Sequence, residues 1–209
     1  MNRNTRLLLF CLSLAFFAGG CFNFKQPRNR VEHYTLEYAP PVIEGLEPLP
    51  VSLKIERFSV NPAYNTRRII YRDGSFKRNE YFYHKWRVNP GDLVTSFLSR
   101  DIKNTGLFKA VLPNETDIPF SYVLEGSVDE FVEWDASGEW EAVLAVTVTL
   151  TAADEPDISK RVLFQKTYRV AKPFAEKNPR GLTEAMSQAM AEASSHIIRD
   201  IYAAVEDRS

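Results

Sequence analysis

The chain has 209 residues, 26 basic and 27 acidic side chains and a net charge of −1. This balance argues against a nucleic-acid binder, which presents a strongly basic face. The length falls within the usual range of a single domain, about 100–200 residues.

Arg3 and Arg6 precede an apolar run over residues 7–17, broken only by Ser13 and followed by Ala18, Gly19, Gly20 and Cys21. A positive start, a short apolar core and a small-residue cleavage site mark a secretory signal. The run is too short to span a bilayer, which needs about 20 apolar residues. A cysteine directly after the small residues resembles the bacterial lipobox, with Ala18 where leucine is commoner. That resemblance implies cleavage before Cys21, a diacylglycerol on its sulfur and acylation of the new N-terminus. The expected organisation is a signal peptide (1–20), a lipidated flexible tether (21–31) and one α+β periplasmic domain (32–209). Cys11 leaves with the signal, so the domain has no thiol for a disulfide, an iron–sulfur site or a nucleophile. Arg3 and Arg6 leave with it too, and the remaining side chains sum to −3.

Residues 22–31, with Lys25, Pro27, Arg28 and Arg30, read as the tether. Residues 33–38 suit a first short strand. Pro40, Pro41, Pro48 and Pro50 predict an extended connector over 39–50, because proline has no place in a central strand. Val51, Leu53 and Ile55 alternate with Ser52, Lys54 and Glu56 as in a strand, and Phe58 and Val60 continue in the opposite phase, which predicts a bulge near Glu56 or Arg57. Residues 67–72 and 75–83 flank Asp73-Gly74, a dipeptide that favours a tight type I′ hairpin turn. Asn89 and Pro90 then open a helix whose stripe is Leu93, Val94, Phe97, Leu98 and Ile102, and Gly106 ends it.

A short strand is expected over 108–112 and two long ones over 120–134 and 139–152. In the second long strand Ala142, Leu144, Val146, Val148 and Leu150 share one face, and Thr147, Thr149 and Thr151 the other. Residues 161–170 alternate again. A last helix carries the stripe Leu182, Ala185, Met186, Ala189, Ala193, Ile197, Ile201 and Val205. Together these predict an α+β fold, an antiparallel or mixed β-sheet with two main helices packed on one face.

Catalytic motifs are missing. His33, His84 and His196 have no partner at metal-ligand spacing, there is no glycine-rich phosphate loop, and no serine sits in a nucleophile elbow. Asp129, Glu130 and Glu133 read as a solvated strand face. The expectation is a non-enzyme with no catalytic residue, no metal ligand and no cofactor beyond covalent lipid on Cys21. Residues 64–87 stand out because seven aromatics lie among seven basic side chains, and aromatics and arginines dominate binding hot spots. Arg67, Arg68, Arg72, Arg78 and Trp86 are the candidate partner- or lipid-contacting residues. A hairpin with one core face and one charged, solvated face would give the same alternation.

The order of these pieces resembles a known family. Tyr34-Thr35-Leu36, Arg68-Ile69-Ile70-Tyr71-Arg72, Tyr83-His84-Lys85-Trp86 leading to Asn89-Pro90, Phe97-Leu98, Gly106-Leu107-Phe108 and Leu124-Glu125-Gly126 precede an alanine-rich last helix. With the lipobox, this is similar to the auxiliary lipoproteins of Mce-type ABC transport systems, the group that includes the paraquat-inducible lipoprotein. The resemblance implies a non-catalytic component of a system that moves lipids or hydrophobic molecules across the periplasm. Its partners would be an Mce-type substrate-binding protein, a permease and an ATPase, with the membrane reached through the lipid anchor and a homo-oligomer as a further possibility. Phe22, where enteric inner-membrane lipoproteins carry aspartate, favours the periplasmic face of the outer membrane. Two rival readings are an outer-membrane assembly or secretion lipoprotein of the lipopolysaccharide-assembly or curli-secretion type, and a cell-wall hydrolase.

Overall fold

The computed structural model describes residues 30–208 except Ser75 and Ser137. The expected signal peptide, Cys21 and nearly all of the tether lie outside the described residues. In chain order the elements are β1 (Glu32–Tyr34), β2 (Leu49–Ile55), β3 (Ser59–Val60), β4 (Arg68–Asp73), β5 (Lys77–Trp86), α1 (Pro90–Thr105), β6 (Phe108–Pro113), β7 (Tyr122–Ala136), β8 (Glu139–Ala152), α2 (Ile158–Arg161), β9 (Val162–Phe174) and α3 (Pro179–Glu206).

Strand β7 organises the sheet. One of its edges pairs along its length with β8, antiparallel, and β8 pairs in turn with β9. Its other edge is shared in succession by β2, β3 and β4, all parallel to it. Beyond them β6 pairs with β2, β5 with β4, and β1 with β5. The result is a mixed nine-stranded sheet, and with two long helices the fold is α+β. Helix α3 packs on β8 and β9, α1 packs on β6 and β7, and the two helices touch.

Period-two patterning explains β8. Ala142, Leu144, Val146, Val148 and Leu150 are buried in the core, and Thr147, Thr149 and Thr151 stay half-exposed on the second face. Val143 and Ala145 are buried too. Val143 stands opposite Val132 and Ala171, making a small apolar patch on the otherwise polar face.

Local chemistry fixes the ends of α1. The Asn89 side chain accepts a hydrogen bond from the Gly91 amide at 3.0 Å, Pro90 occupies the first turn, and Gly106 closes the helix at φ 67°, where a side chain would be strained. The chain before α1 departs from expectation in two places. Strand β2 begins at Leu49 and includes Pro50, and its pairing with β6 is irregular between Leu49 and Ser52, which accommodates the missing amide donor. A break, rather than a bulge, separates Ile55 from Ser59. There Phe58 turns into the core against Gly126, where an added Cβ would lie 2.4 Å from the Thr147 carbonyl oxygen and 2.8 Å from the Phe58 ring.

Candidate functional site

The aromatic and basic segment folds as the β4–β5 hairpin. Asp73 pairs with Lys77, so residues 74–76 form the connection and Asp73 belongs to the strand, not to a two-residue turn. Further along, Arg68 stands opposite Lys85 and Ile70 opposite Glu80. Ile69 alone therefore faces residues 81–84 of β5, a bulge that breaks the alternation and re-aims side chains. Tyr81 turns inward, while Phe82 is 72% exposed and Tyr83 is exposed beside it, ring centroids 4.9 Å apart. At the apex Phe76 is fully exposed.

The candidate contact residues divide. Trp86 is 1% exposed and packs edge-on against Phe131 at 5.0 Å, with its amide donating to the Arg67 carbonyl. It is core, because the bulge shifts its phase toward the sheet interior, and it offers no contact surface. Arg68 is ion-paired with Glu80. Arg72 is half-buried, with its guanidinium 4.1 Å from the centre of the Trp134 ring and its Nε donating to the Gly74 carbonyl at 3.0 Å. Arg169 lies over the same ring and donates from Nε to Glu130 at 2.9 Å. Arg67 and Arg78 are exposed, and Arg78 stands directly opposite Arg72. Ile70, which shares a face with Arg72, is buried.

Beneath the hairpin lies a carboxylate that patterning placed in solvent. Glu133 is 0% exposed and accepts hydrogen bonds from the Tyr81 hydroxyl at 3.0 and 3.2 Å. Burial pushes Glu133 above the ordinary glutamate value, against the opposing pull of Tyr81 and Lys177. Burial and the neighbouring Glu133 charge push the Tyr81 hydroxyl up as well. Lys177 is ion-paired with Asp135, whose carboxyl it holds low. His84 stands edge-on to Tyr81 and 3.3 Å from the Tyr34 hydroxyl, which burial and Glu32 push up to about 12. Asp129 accepts from Ser127 and Thr147, as expected of a strand's polar face.

A second buried carboxylate also escaped the sequence reading. Asp101 on α1 accepts from the Tyr38 hydroxyl at 2.7 Å and from Arg100 at 2.7 and 2.9 Å, while Tyr38 stacks on Phe97. It ties the proline-rich connector to the helix. Among the described residues, no group of three or more His, Cys, Asp or Glu side chains could hold a metal ion, and no helix is long and apolar enough to cross a membrane. What the hairpin presents is a basic, aromatic surface.

Comparison with solved structures shows the fold elsewhere. A protein from Xanthomonas campestris is similar with a TM-score of 0.77 at 17% identity, covering 85% of this chain and 98% of that one. An uncharacterised protein gives 0.63 at 12% identity, covering 81% and 97%. A hypothetical protein from Chlamydia trachomatis gives 0.51 at 8%, covering 75% and 98%. No curated protein matches the sequence. The family model described as the ABC-type transport auxiliary lipoprotein component matches residues 34–198, from β1 through most of α3. The chain belongs to that family of ABC-type transport auxiliary lipoprotein components.

Proposed function

We propose that this chain is the non-catalytic lipoprotein of an Mce-type ABC system that moves lipids or other hydrophobic molecules across the periplasm. The observation that carries this reading is the family match over residues 34–198. The N-terminal sequence supplies the anchor: Cys21, lipidated after cleavage, tethers the domain to the periplasmic face of the outer membrane. Permease, ATPase and Mce-type substrate-binding protein come from other chains. The lipoprotein contributes a docking surface, for which the exposed residues of the β4–β5 hairpin are the best-furnished candidate.

In-cell crosslinking followed by mass spectrometry tests the assignment. The wild-type lipoprotein should capture an Mce-type protein together with co-purified lipid. Stable capture of an outer-membrane β-barrel instead would favour the assembly or secretion reading. Labelled palmitate should enter the wild type and not Cys21→Ser, and equal labelling of both would remove the anchor from the scheme.

A further inference from the structure

Four features of the β4–β5 hairpin point outward together. Phe76 at the apex is fully exposed, and the bulge in β5 exposes Phe82 and Tyr83 as a contacting pair. Residues 67–87 carry seven basic and two acidic side chains, within a chain whose net charge is −1, so the hairpin is a locally cationic part of a slightly acidic protein. Lys77 and Arg78 at the start of β5 are both exposed beside the apex. The fourth feature is the direction of the chain. β1 runs parallel to β5, with Glu32 opposite His84 and Tyr34 opposite Trp86. The N-terminal end of β1 therefore points along the edge of β5 toward the hairpin apex.

We propose that the free outer edge and apex of the β4–β5 hairpin seat on an anionic lipid surface, with Phe76, Phe82 and Tyr83 entering the headgroup region and Lys77 and Arg78 meeting lipid phosphates. The inference rests on the reading that Cys21 is lipidated. From Cys21 to Glu32 the extended chain reaches at most about 40 Å. From His84 to Lys77 the strand covers about 23 Å. The anchor and the apex can thus touch one bilayer at the same time. Tethering raises the effective concentration of the hairpin at the surface, so even a weak contact is occupied. Aromatic rings at headgroup depth with basic residues among them are the composition of an interfacial contact. The seated domain would be held in one orientation with the hairpin downward, and α2 at the opposite end of the sheet away from the lipid.

The test uses the full lipidated chain in vesicles whose acyl chains carry bromine, a short-range quencher of tryptophan emission. Phe76→Trp places a reporter at the apex, and Ile158→Trp places one on α2, an exposed position at the opposite end of β8. Each reporter is read as the difference from the parent chain with its native Trp86, Trp134 and Trp140. In vesicles of phosphatidylglycerol and phosphatidylethanolamine, that difference for the tryptophan at 76 should fall about twofold relative to unbrominated lipid, as for a ring seated in the interface, and the same difference for the tryptophan at 158 should hold. Adding Lys77→Ala or Arg78→Ala to the apex reporter should weaken seating about fivefold for each charge removed, and phosphatidylcholine vesicles should give little apex quenching. A palmitate-labelled chain whose apex tryptophan is quenched no more than the one at 158, or equally in phosphatidylcholine, overturns the proposal and leaves the anchor reading standing. A chain that takes up no palmitate overturns both.

Discussion

Helix α3 and the β4–β5 hairpin each carry many apolar side chains, and they dispose of them in opposite ways. Leu182, Met186, Ala189, Ala193, Ile197, Ile201 and Val205 of α3 are all fully buried. The alanines let the helix lie close on β8 and β9, and polar groups finish the seam: Asp200 accepts from Lys166 and from the Tyr168 hydroxyl, both at 2.6 Å. In the hairpin, Phe76, Phe82 and Tyr83 face solvent while Ile69, Ile70 and Trp86 on the same two strands are buried. The difference separates scaffold from surface. A helix stripe in register with its sheet holds the fold together, whereas a strand whose alternation is interrupted leaves side chains at the surface.

If that separation holds, the largest effect should follow truncation in α3. Ile197→Ala removes buried methylenes from a position with no solvent access and should cost about 2–5 kcal/mol. Urea unfolding should show a lowered midpoint with an unchanged slope. A variant as stable as the wild type would mean that α3 is not the scaffold the packing implies.

An intermediate effect should come from the joint between the two regions, where Glu133 of β7 lies under Tyr81 of the hairpin. Its folded-state carboxyl is raised above the ordinary value, chiefly by burial. The folded protein therefore binds this proton more readily than the unfolded chain, and the contribution of Glu133 to stability falls as pH rises from the ordinary glutamate range through the raised value. Glu133→Gln keeps an acceptor for the Tyr81 hydroxyl and removes the charge. The variant should gain on the wild type across that window and hold a constant lead above it. Paired unfolding curves at a series of pH values measure the difference directly, since the other titrating groups are common to both proteins. A difference that is flat with pH would show that Glu133 titrates as an exposed glutamate does.

What could be read from the sequence follows the same division. The caps of α1, Asn89 and Gly106, were legible because capping depends on a few neighbouring residues. The stripes of α1 and α3 and the alternation of β8 were legible because each element keeps one period from end to end. Trp86 and Glu133 were misplaced for a shared reason. Each follows an irregularity, the bulge over 81–84 of β5 and the register shift between Val128 and Glu130 of β7, and every residue beyond such a point changes face. A signal was present for Glu133, which lies two residues from the apolar Phe131 and shares its face, whereas Asp129, also at even spacing, sits at the register shift and turns to the other face. The missing ladder donor of Pro50 points to a connector, yet the irregular β2–β6 pairing accommodates it within the strand. The Tyr38–Asp101 contact joins residues 63 apart in sequence, and no local pattern encodes it.

The smallest stability effect is expected where the proposed function needs the largest change in binding. Arg67 and Arg78 are exposed, whereas Arg68 is held in an ion pair with Glu80 and Arg72 lies over Trp134. Exposed charges away from special features usually shift stability by no more than about 0.5 kcal/mol. The double reversal Arg67→Glu with Arg78→Glu should therefore leave the melting temperature nearly unchanged. It also lowers the positive excess of the hairpin by four charges. Electrostatic complementarity acts mainly on encounter and orientation, so capture of the transport partner or of anionic vesicles should slow and become less salt-dependent than in the wild type. Reversing Arg68 and Arg72 instead should destabilise modestly, by about 1 kcal/mol for the lost ion pair and ring contact together, and is the poorer probe. A folded, correctly localised Arg67→Glu, Arg78→Glu protein that binds and complements like wild type would return the hairpin to the scaffold side of the comparison. Its basic residues would then be a solvated face and nothing more.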